Sequence, residues 1–377
     1  LLLSFLIMQT NICLWVFMAK IVVGMSGGVD SSLTAALLKE QGHEVIGLFM
    51  RNWKETDEMG CCTADEDFQD VKDVCNKIGI PYYSVDFSEE YYDRVFKHFV
   101  EEYKKGRTPN PDVLCNKEIK FDTFLKYALK TGADYVATGH YCNVEHRDGK
   151  SYLVRAQDDN KDQTYFLNQL TSDQLNKVLF PIGDIDKPTV RELAKKYNLS
   201  TAEKKDSTGI CFIGERNFRK FLSEYIPMKP GKMMTVDGKV VGEHQGVFYY
   251  TIGQRRGLGI GGKQDGNGAR WFVLDKDVEK NILYVSQGEM DILFHNCLET
   301  DDFNFIPEKP LETEFDCLVR IRHRQALQKA KCIVKPAGGV KLIFNEKQRA
   351  IAEGQYAVVY RDKYCLGGGV IERKYNI

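Results

Sequence analysis

The chain has 377 residues and a net charge of −1, and is 43% hydrophobic and 28% charged, which suits two or three globular cores and excludes a fibrous, disordered or disulfide-stapled protein. Near-zero net charge neither demands nor forbids a nucleic-acid partner, because a basic face can be balanced by an acidic one elsewhere. Eleven cysteines without framework spacing read as reduced thiols in a reducing compartment, which points to the cytoplasm.

Residues 1–17, LLLSFLIMQTNICLWVF, are apolar, but Gln9, Thr10 and Asn11 interrupt them and no basic segment precedes them. Met18 stands directly before AKIVVGM, so 1–17 are expected to be an upstream or disordered extension and not an anchor; no membrane partner is expected. KIVVGM then reads as a buried strand, SGGV as a tight loop, and DSSLTAALLKEQG as a helix with Leu33, Ala36, Leu37 and Leu38 at helical spacing and Gly42 as its stop. HEVIGLFM, PYYSVDF and DYVATGHY follow as strands, alternating with helices in EDFQDVKDVCNKIG and EEYYDRVFKHFVEEYKKG. The aromatic stripe Tyr91, Tyr92, Phe96, Phe99 and Tyr103 on the last of these is expected in the core.

Strands alternating with helices predict an α/β domain with a doubly wound parallel sheet over 18–212, with ligands at the carboxyl ends of the strands. From 213 to 290, short β-type runs broken by Asp-Gly, Gly and Asn turns predict a small β-rich central domain. From 291 to 377 the same texture predicts a C-terminal β-barrel.

The loop over Gly24, Met25, Ser26, Gly27, Gly28, Val29, Asp30 and Ser31 places glycines where backbone must approach a ligand and opens a helix whose free N–H groups favour an anion. It is neither a Walker A loop nor a GxGxxG loop. SGGVDSS instead resembles the pyrophosphate-binding loop of N-type ATP pyrophosphatases, which split ATP to AMP and pyrophosphate by adenylating a substrate oxygen. On that likeness Ser26, Ser31 and the backbone N–H groups would hold phosphate oxygens, with Asp30 helping through Mg²⁺.

Two cysteines stand out. In GRTPNPDVLCNKEIKF, Pro109 and Pro111 stiffen a segment that delivers Asp112 and then Cys115, with Lys117 and Lys120 nearby. In KKDSTGICFIGE, Lys204, Lys205 and a Ser-Thr-Gly turn precede Cys211, a cationic setting that favours thiolate. Cys61, Cys62, Cys75 and Cys142 lack the spacing of a zinc site and are expected to be structural; no tightly bound metal is predicted. The run CLVRIRHRQALQKAK, with Arg320, Arg322, Arg324, Lys329 and Lys331, is expected to turn one cationic strand face toward phosphates or to be a solvated edge strand. GQRRGLGIGG, 253–262, reads equally as an RNA contact or a plain loop.

Taken together, SGGVDSS, GRTPNPD followed by CN, ATGHY, NKDQTYFL, FPIGDIDKPTVRELA, DSTGICFIGE and YTIGQRRGLGIG, in this order from Met18 to the C-terminus, resemble the bacterial tRNA-specific 2-thiouridylase family. That resemblance implies a cytoplasmic sulfurtransferase that replaces O2 of the wobble uridine (U34) with sulfur. ATP with Mg²⁺ adenylates the oxygen and a protein persulfide displaces AMP. It implies an ATP site at 24–31 with Met50 and Gly139, a persulfide on Cys211, and Cys115 as the nucleophile that forms a transient disulfide with Cys211. Asp112 becomes the acid/base, and Asn110, Pro111 and Asp112 touch the target base. His140, Lys161, Asp162, Gln163, Arg322, His323 and Gln355 become tRNA contacts, although many relatives carry Tyr at the position of His323. The implied partners are tRNAs for Lys, Glu and Gln, and a cysteine desulfurase or sulfur-relay protein as sulfur donor. The chemistry is coherent: uracil's C2 carbonyl is a poor electrophile until adenylation supplies a leaving group, and a base in an anticodon loop must be splayed into a pocket.

Two rival readings stand beside this one. A small-molecule ATP pyrophosphatase, such as a GMP-synthetase-like or argininosuccinate-synthetase-like enzyme, would need neither paired cysteines nor a basic barrel. A non-catalytic tRNA-binding or sulfur-carrier protein should show damage in SGGVDSS, Asp112, Cys115 or Cys211, and all four are intact.

Overall fold

The computed structural model describes residues 18–53, 63–206, 218–260 and 269–377. The extension 1–17, Cys61, Cys62, Cys211 and the last two residues of the 253–262 loop lie outside the described residues.

The first sheet begins with β1 (Lys20–Met25), followed by helix α1 (Val29–Glu40), β2 (Glu44–Arg51), helix α2 (Thr63–Ile78) and β3 (Tyr82–Asp86). After helical stretches over 88–104 and 111–130 come β4 (Tyr135–Ala137), the hairpin β5 (Cys142–Arg147) and β6 (Lys150–Arg155), and β7 (Val178–Leu179). The strand expected over 134–141 therefore stops at Ala137, and its last residues form a loop.

The sheet is parallel throughout, in the order β3-β2-β1-β4-β7. The chain builds outward from β1 on one side and then returns to its other side with β4. That reversal makes the cleft between the carboxyl ends of β1 and β4 the place where an open α/β sheet holds ligands.

Both faces of β1 are covered. Ile21, Val23 and Met25 pack with Leu33, Ala36 and Val190 on one face, whereas Val22 joins Phe96, Phe99, Phe121 and Phe124 on the other. Full burial of each such aromatic contributes about 1.5–3 kcal/mol. Of the expected aromatic stripe, Tyr91, Phe96, Phe99 and Tyr103 are buried, but Tyr92 is 42% exposed, with Lys97 over its ring.

The central sheet contains β8 (Gly231–Met234), β9 (Val240–His244), β10 (Trp271–Asp277) and β11 (Ile282–Gln287), ordered β10-β11-β8-β9. The C-terminal strands are β12 (Phe294–Thr300), β13 (Asn304–Phe305), β14 (Glu314–Arg320), β15 (Gln328–Val334), β16 (Val340–Arg349), β17 (Tyr356–Arg361) and β18 (Tyr364–Tyr375). They run β12-β16-β15-β14-β17-β18, and β12 also pairs with β18, which closes the barrel around Leu298, Val319, Leu342, Val359 and Ile371.

The sequence did not announce that the β5–β6 hairpin of the first domain extends this barrel sheet. Tyr364 and Cys365 of β18 pair with Val154 and Leu153 of β6. Residues that follow β4 are thereby tied to the barrel by backbone hydrogen bonds.

Candidate active site

The loop after β1 is shaped by two requirements. Gly27 has φ +75°, and a Cβ there would lie 2.6 Å from the Asp67 carbonyl oxygen of α2, so only glycine fits. Gly28 caps α1 in an extended conformation without a side-chain cap bond, which leaves the first N–H groups of the helix directed at the cleft. The hydroxyls brace one another: Ser26 N–H donates to Ser31 Oγ at 3.2 Å, Ser31 Oγ donates to the Gly28 carbonyl at 3.1 Å, and Ser32 Oγ donates to the same oxygen at 2.8 Å. Exposed Ser26 stands at the mouth of a preformed anion nest.

Across the cleft, β4 delivers Thr138, Gly139 and His140. A Cβ on Gly139 would lie 2.7 Å from Ser31 N, so this glycine lets the two loops close on each other. His140 Nδ1 shares a 2.7 Å hydrogen bond with Thr138 Oγ1, and its ring packs against Phe121 and Phe180. Burial, reinforced by the Lys120 charge, holds the imidazole well below its usual pKa and hence neutral. Met50, half-buried at the end of β2, pairs with Val85 beside the cleft.

Asp30 has partners that the sequence did not show. Its carboxylate receives Lys187 Nζ at 2.6 and 2.9 Å and the Tyr141 hydroxyl at 2.8 Å, an ion pair at the foot of the loop. Lys187 also reaches Asp206 at 3.0 Å, which Lys161 and Arg191 approach at 2.8 Å each. Burial alone would raise the Asp206 pKa, but hydrogen bonds from Lys161 and Lys187 outweigh it and bring it down to about 2. Among the described residues no group of three His, Cys, Asp or Glu side chains is arranged to hold a metal ion.

The segment before Cys115 is a junction of all three units. Arg107 reaches Glu372 of the barrel at 2.6 Å. Thr108 N–H donates to the Glu353 carbonyl at 2.9 Å, and its hydroxyl bonds Thr251 of the central unit at 3.3 Å. Gln355 Nε2 donates to the carbonyls of Thr108 and Pro109 at 2.9 and 3.2 Å, while its Oε1 accepts from Asn110 Nδ2 at 3.4 Å. Asn110 then caps the next helix, its Oδ1 accepting from Val113 N at 3.3 Å, with Pro111 in the first turn where it lacks no partner.

On that helix Asp112 is partly buried, and desolvation raises its pKa against the opposing Lys120 charge, as suits a proton carrier. Cys115 is 3% exposed and opens a π-helical stretch, Cys115–Phe124, a geometry frequent at functional sites. Phe124 packs its ring 3.6 Å from where a Cβ of Gly24 would stand. Nine helical steps thus separate Cys115 from the ring that packs at the end of β1, about 13 Å or less along the axis.

Asn116 was missed in the sequence, although it directly follows Cys115. It is 3% exposed, its Nδ2 donates to the Phe166 carbonyl at 3.1 Å, and its Oδ1 has no partner among the described residues. The Phe166 acceptor fixes which way the amide points, so the orphan is an acceptor. Leaving one unmet costs about 1–3 kcal/mol, which singles it out for a role.

The expected tRNA contacts divide. Asp162 is 1% exposed, bonds Arg320 at 2.7 Å and accepts from Thr164 Oγ1 at 2.9 Å; its carboxylate is filled by protein. Arg320 is 5% exposed and ends β14, so the idea of arginines alternating on one phosphate-facing strand is corrected: Arg322 and Arg324 stand on the turn beyond it. Gln163 Oε1 accepts from Tyr141 N–H at 2.9 Å. The half-buried His323 ring lies 4.4 Å from that of Phe166. Burial, with help from Arg324 and Arg320, lowers its pKa to about 4, and its buried Nδ1 has no partner among the described residues. Lys204 is likewise committed, to Asp67 at 2.7 Å, and is not a free charge for the segment carrying Cys211.

The structure therefore gathers Asn110, Asp112, Cys115, Gln355 and, through Tyr165 and Phe166, His323. Lys161, Asp30 and Asp206 belong to the ion network beneath the loop. Lys187 and Tyr141 were overlooked because nothing local marks a buried lysine or tyrosine as the partner of an aspartate more than a hundred residues away.

Residues 19–215 match the family described as tRNA methyl transferase HUP domain, 219–287 the tRNA methyl transferase PRC-barrel domain, and 295–371 the Aminomethyltransferase beta-barrel domain. The chain is 56% identical over 359 residues to proteins named tRNA-specific 2-thiouridylase MnmA from Streptococcus agalactiae serotypes Ia and III, covering 95% of this chain and 96% of each relative. Among solved structures it is similar to the U34-tRNA thiolase NcsA from Methanococcus maripaludis with its [4Fe-4S] cluster (20% identity, TM-score 0.35, 55% of this chain and 64% of that one). It is also similar to a 4-thiouridine synthetase in an RNA complex with bound ATP (17% identity, TM-score 0.35, 55% and 50%).

Proposed function

Because the chain belongs to the tRNA-specific 2-thiouridylase family, we propose that it is a sulfurtransferase that uses ATP to exchange O2 of the wobble uridine (U34) of tRNA for sulfur, releasing AMP and pyrophosphate. The observation that carries this reading is that the helical stretch from Asp112 and Cys115 ends with the Phe124 ring against Gly24, where β1 enters the glycine loop, which supports a cleft shared by thiol and nucleotide.

ATP enters as its magnesium complex, with its phosphates on the N–H groups at 27–31 and its nucleotide between Met50 and Gly139. O2 of a uridine held by Asn110, Pro111 and Asp112 attacks the α-phosphate and pyrophosphate leaves. Asn116 Oδ1 supplies an acceptor for uracil N3–H, which becomes acidic as O2 gives up electron density. The terminal sulfur of a persulfide on Cys211 then adds to C2 and AMP departs. Attack of Cys115 on Cys211 Sγ breaks the S–S bond, leaves the thiocarbonyl on the base and joins the two cysteines in a disulfide. An external thiol must reduce that disulfide before the next turnover. Asp112, with its raised pKa, takes and returns the proton.

The remaining assignments follow the family. His140, Lys161, Gln163, Arg322, His323 and Gln355 contact tRNA, Asp162 acting through the loop it braces. The substrates are tRNAs for Lys, Glu and Gln, and the donor is a cysteine desulfurase or a relay protein. The setting is the cytoplasm, consistent with the buried free thiols among the described residues. Three units are proposed, 18–212, 213–290 and 291–377. The word methyl in the matched family description has less support, since methyl transfer needs no ATP-cleaving loop.

The test is thiolation of unmodified tRNA by purified protein with ATP, Mg²⁺ and a persulfide-generating desulfurase, read on gels that retard thiolated tRNA. A retarded band with wild type and ATP, lost in Cys115→Ala and in Cys211→Ala, is the expected result. Full thiolation by Cys211→Ala would overturn the cysteine assignment. AMP release without tRNA and with no retarded band would favour a small-molecule pyrophosphatase.

A further inference from the structure

Four cations converge where the central unit meets the barrel. Lys276 of β10 donates to the Tyr250 carbonyl at 2.9 Å, and Lys374 of β18 donates to the Ile351 carbonyl at 2.9 Å. Arg322 donates to the carbonyls of Ala350 and, at 3.5 Å, Ile252. The two carbonyl-bearing segments touch: a Cβ on Gly253 would lie 2.6 Å from Ala350 Cβ and 3.3 Å from an Arg349 guanidinium nitrogen. Lys276, Lys374, Arg322 and Arg349 therefore line one seam between 250–253 and 349–351.

Their partners are wrong for a structural ion network. Only Arg349 has a carboxylate, Glu289 at 2.5 Å; no carboxylate among the described residues lies within ion-pair distance of Lys276, Lys374 or Arg322. Neutral carbonyls accept one N–H from each lysine and leave the other donors unspent. Lys374 acts against the charge on Lys276, Arg322 against Lys374 and Arg349 against Arg322; Glu289 and the more distant Asp275 and Glu353 offset only part of this, an arrangement that an incoming anion relieves. Burial and the neighbouring Lys374 charge indeed depress Lys276 to about 8, despite the pull of Asp275 and Glu353. Exposed Arg255 and Arg256 continue the positive surface from Gly253, and exposed Arg324 continues it from Arg322.

We infer that this seam, built by Lys276, Arg322, Arg349 and Lys374, is a phosphate-binding site for the tRNA backbone next to the target nucleotide. The inference rests on the tRNA reading above. Its position supports that ligand: Thr251 on the seam bonds Thr108, two residues before the Asn110–Asp112 segment that holds the base, and Gln355 on the barrel side bonds Asn110. A strand with its wobble base at Asn110–Asp112 lays the adjoining phosphate on the four cations. Lys276 and Lys374 lie in no sequence motif, and only folding brings them together.

The test uses the full chain and an unmodified tRNA. Affinities of wild type and of Lys276→Gln/Lys374→Gln are measured across a KCl series, with thermal melting in parallel. The expected result is roughly tenfold weaker binding for the variant, a log–log salt slope shallower by about 1, and an undiminished melting temperature. An unchanged salt slope overturns the site, whatever happens to affinity. Should the double variant melt early, Lys374→Arg, which keeps the charge, must restore the slope while Lys374→Gln does not. Absence of tRNA binding by wild type at any salt would strike the proposed function itself, a failure distinct from a normal wild-type slope that the variants share.

Discussion

Replacing Asp162 separates two roles that its sequence position confounds. Its neighbours mark it as a tRNA contact, yet it is 1% exposed and bonds Arg320, itself 5% exposed, at 2.7 Å, with Thr164 and Arg155 also on its oxygens. Asp162→Ala leaves the Arg320 guanidinium buried without its carboxylate, and removing one partner of such a pair costs about 3–5 kcal/mol. At roughly 2–4 °C per kcal/mol for a domain of this size, melting should fall by roughly 6–20 °C. Circular dichroism melts of wild type, Asp162→Ala and the double variant Asp162→Leu/Arg320→Met check it. The double variant should recover most of the loss, because an apolar pair of similar volume removes the stranded charge. A melting temperature for Asp162→Ala within a degree of wild type, together with tenfold weaker tRNA binding, would refute the structural role and restore Asp162 as a contact.

Gly139→Ala pushes a methyl to 2.7 Å from Ser31 N, so ATP affinity should fall at least tenfold by calorimetry while the barrel melts normally. Asp206, held at about 2 against an unfolded value of 3.8, contributes stability that is complete above the unfolded pKa and lost as pH falls through the folded one; wild type should therefore lose more melting temperature than Asp206→Asn between pH 5 and about 2. Lys276 has the opposite charge, and burial and Lys374 depress it to about 8 against the pull of Asp275 and Glu353, so the folded state sheds its proton first. Wild-type stability should rise relative to Lys276→Gln as pH climbs from about 8 toward 10.5. A tRNA with N3-methyluridine at the wobble position should be thiolated at least tenfold more slowly than one with uridine, and Asn116→Ala should narrow that ratio; equal rates for both tRNAs on wild type would remove Asn116 from base recognition.

Much of this molecule is legible in one dimension because its signals are local. A loop that needs glycine at φ +75° and a helix with uncapped N–H groups must be encoded within a few residues, and SGGVDSS is. The βα alternation, the Asn-Pro-Asp delivery of Cys115 and the turn-broken barrel strands are local for the same reason. What a side chain pairs with is not local. Asp30 shows only its loop in the sequence, but Lys187 arrives from 157 positions away to pair with its carboxylate. Arg320 and Asp162 look like RNA contacts within their own motifs and are each other's buried partner across 158.

The sequence by itself determined the glycine loop, the parallel sheet, the proline-stiffened segment before Cys115 and, through the order of motifs, the family. Only the tertiary structure decided which charges are spent and which remain for a ligand, because ion pairing and desolvation depend on distances that folding alone sets. Asp162, with its carboxylate buried against Arg320, is spent by that rule. Lys276 and Lys374, anonymous in the sequence, are left by it at a seam with no carboxylate within ion-pair distance of either among the described residues.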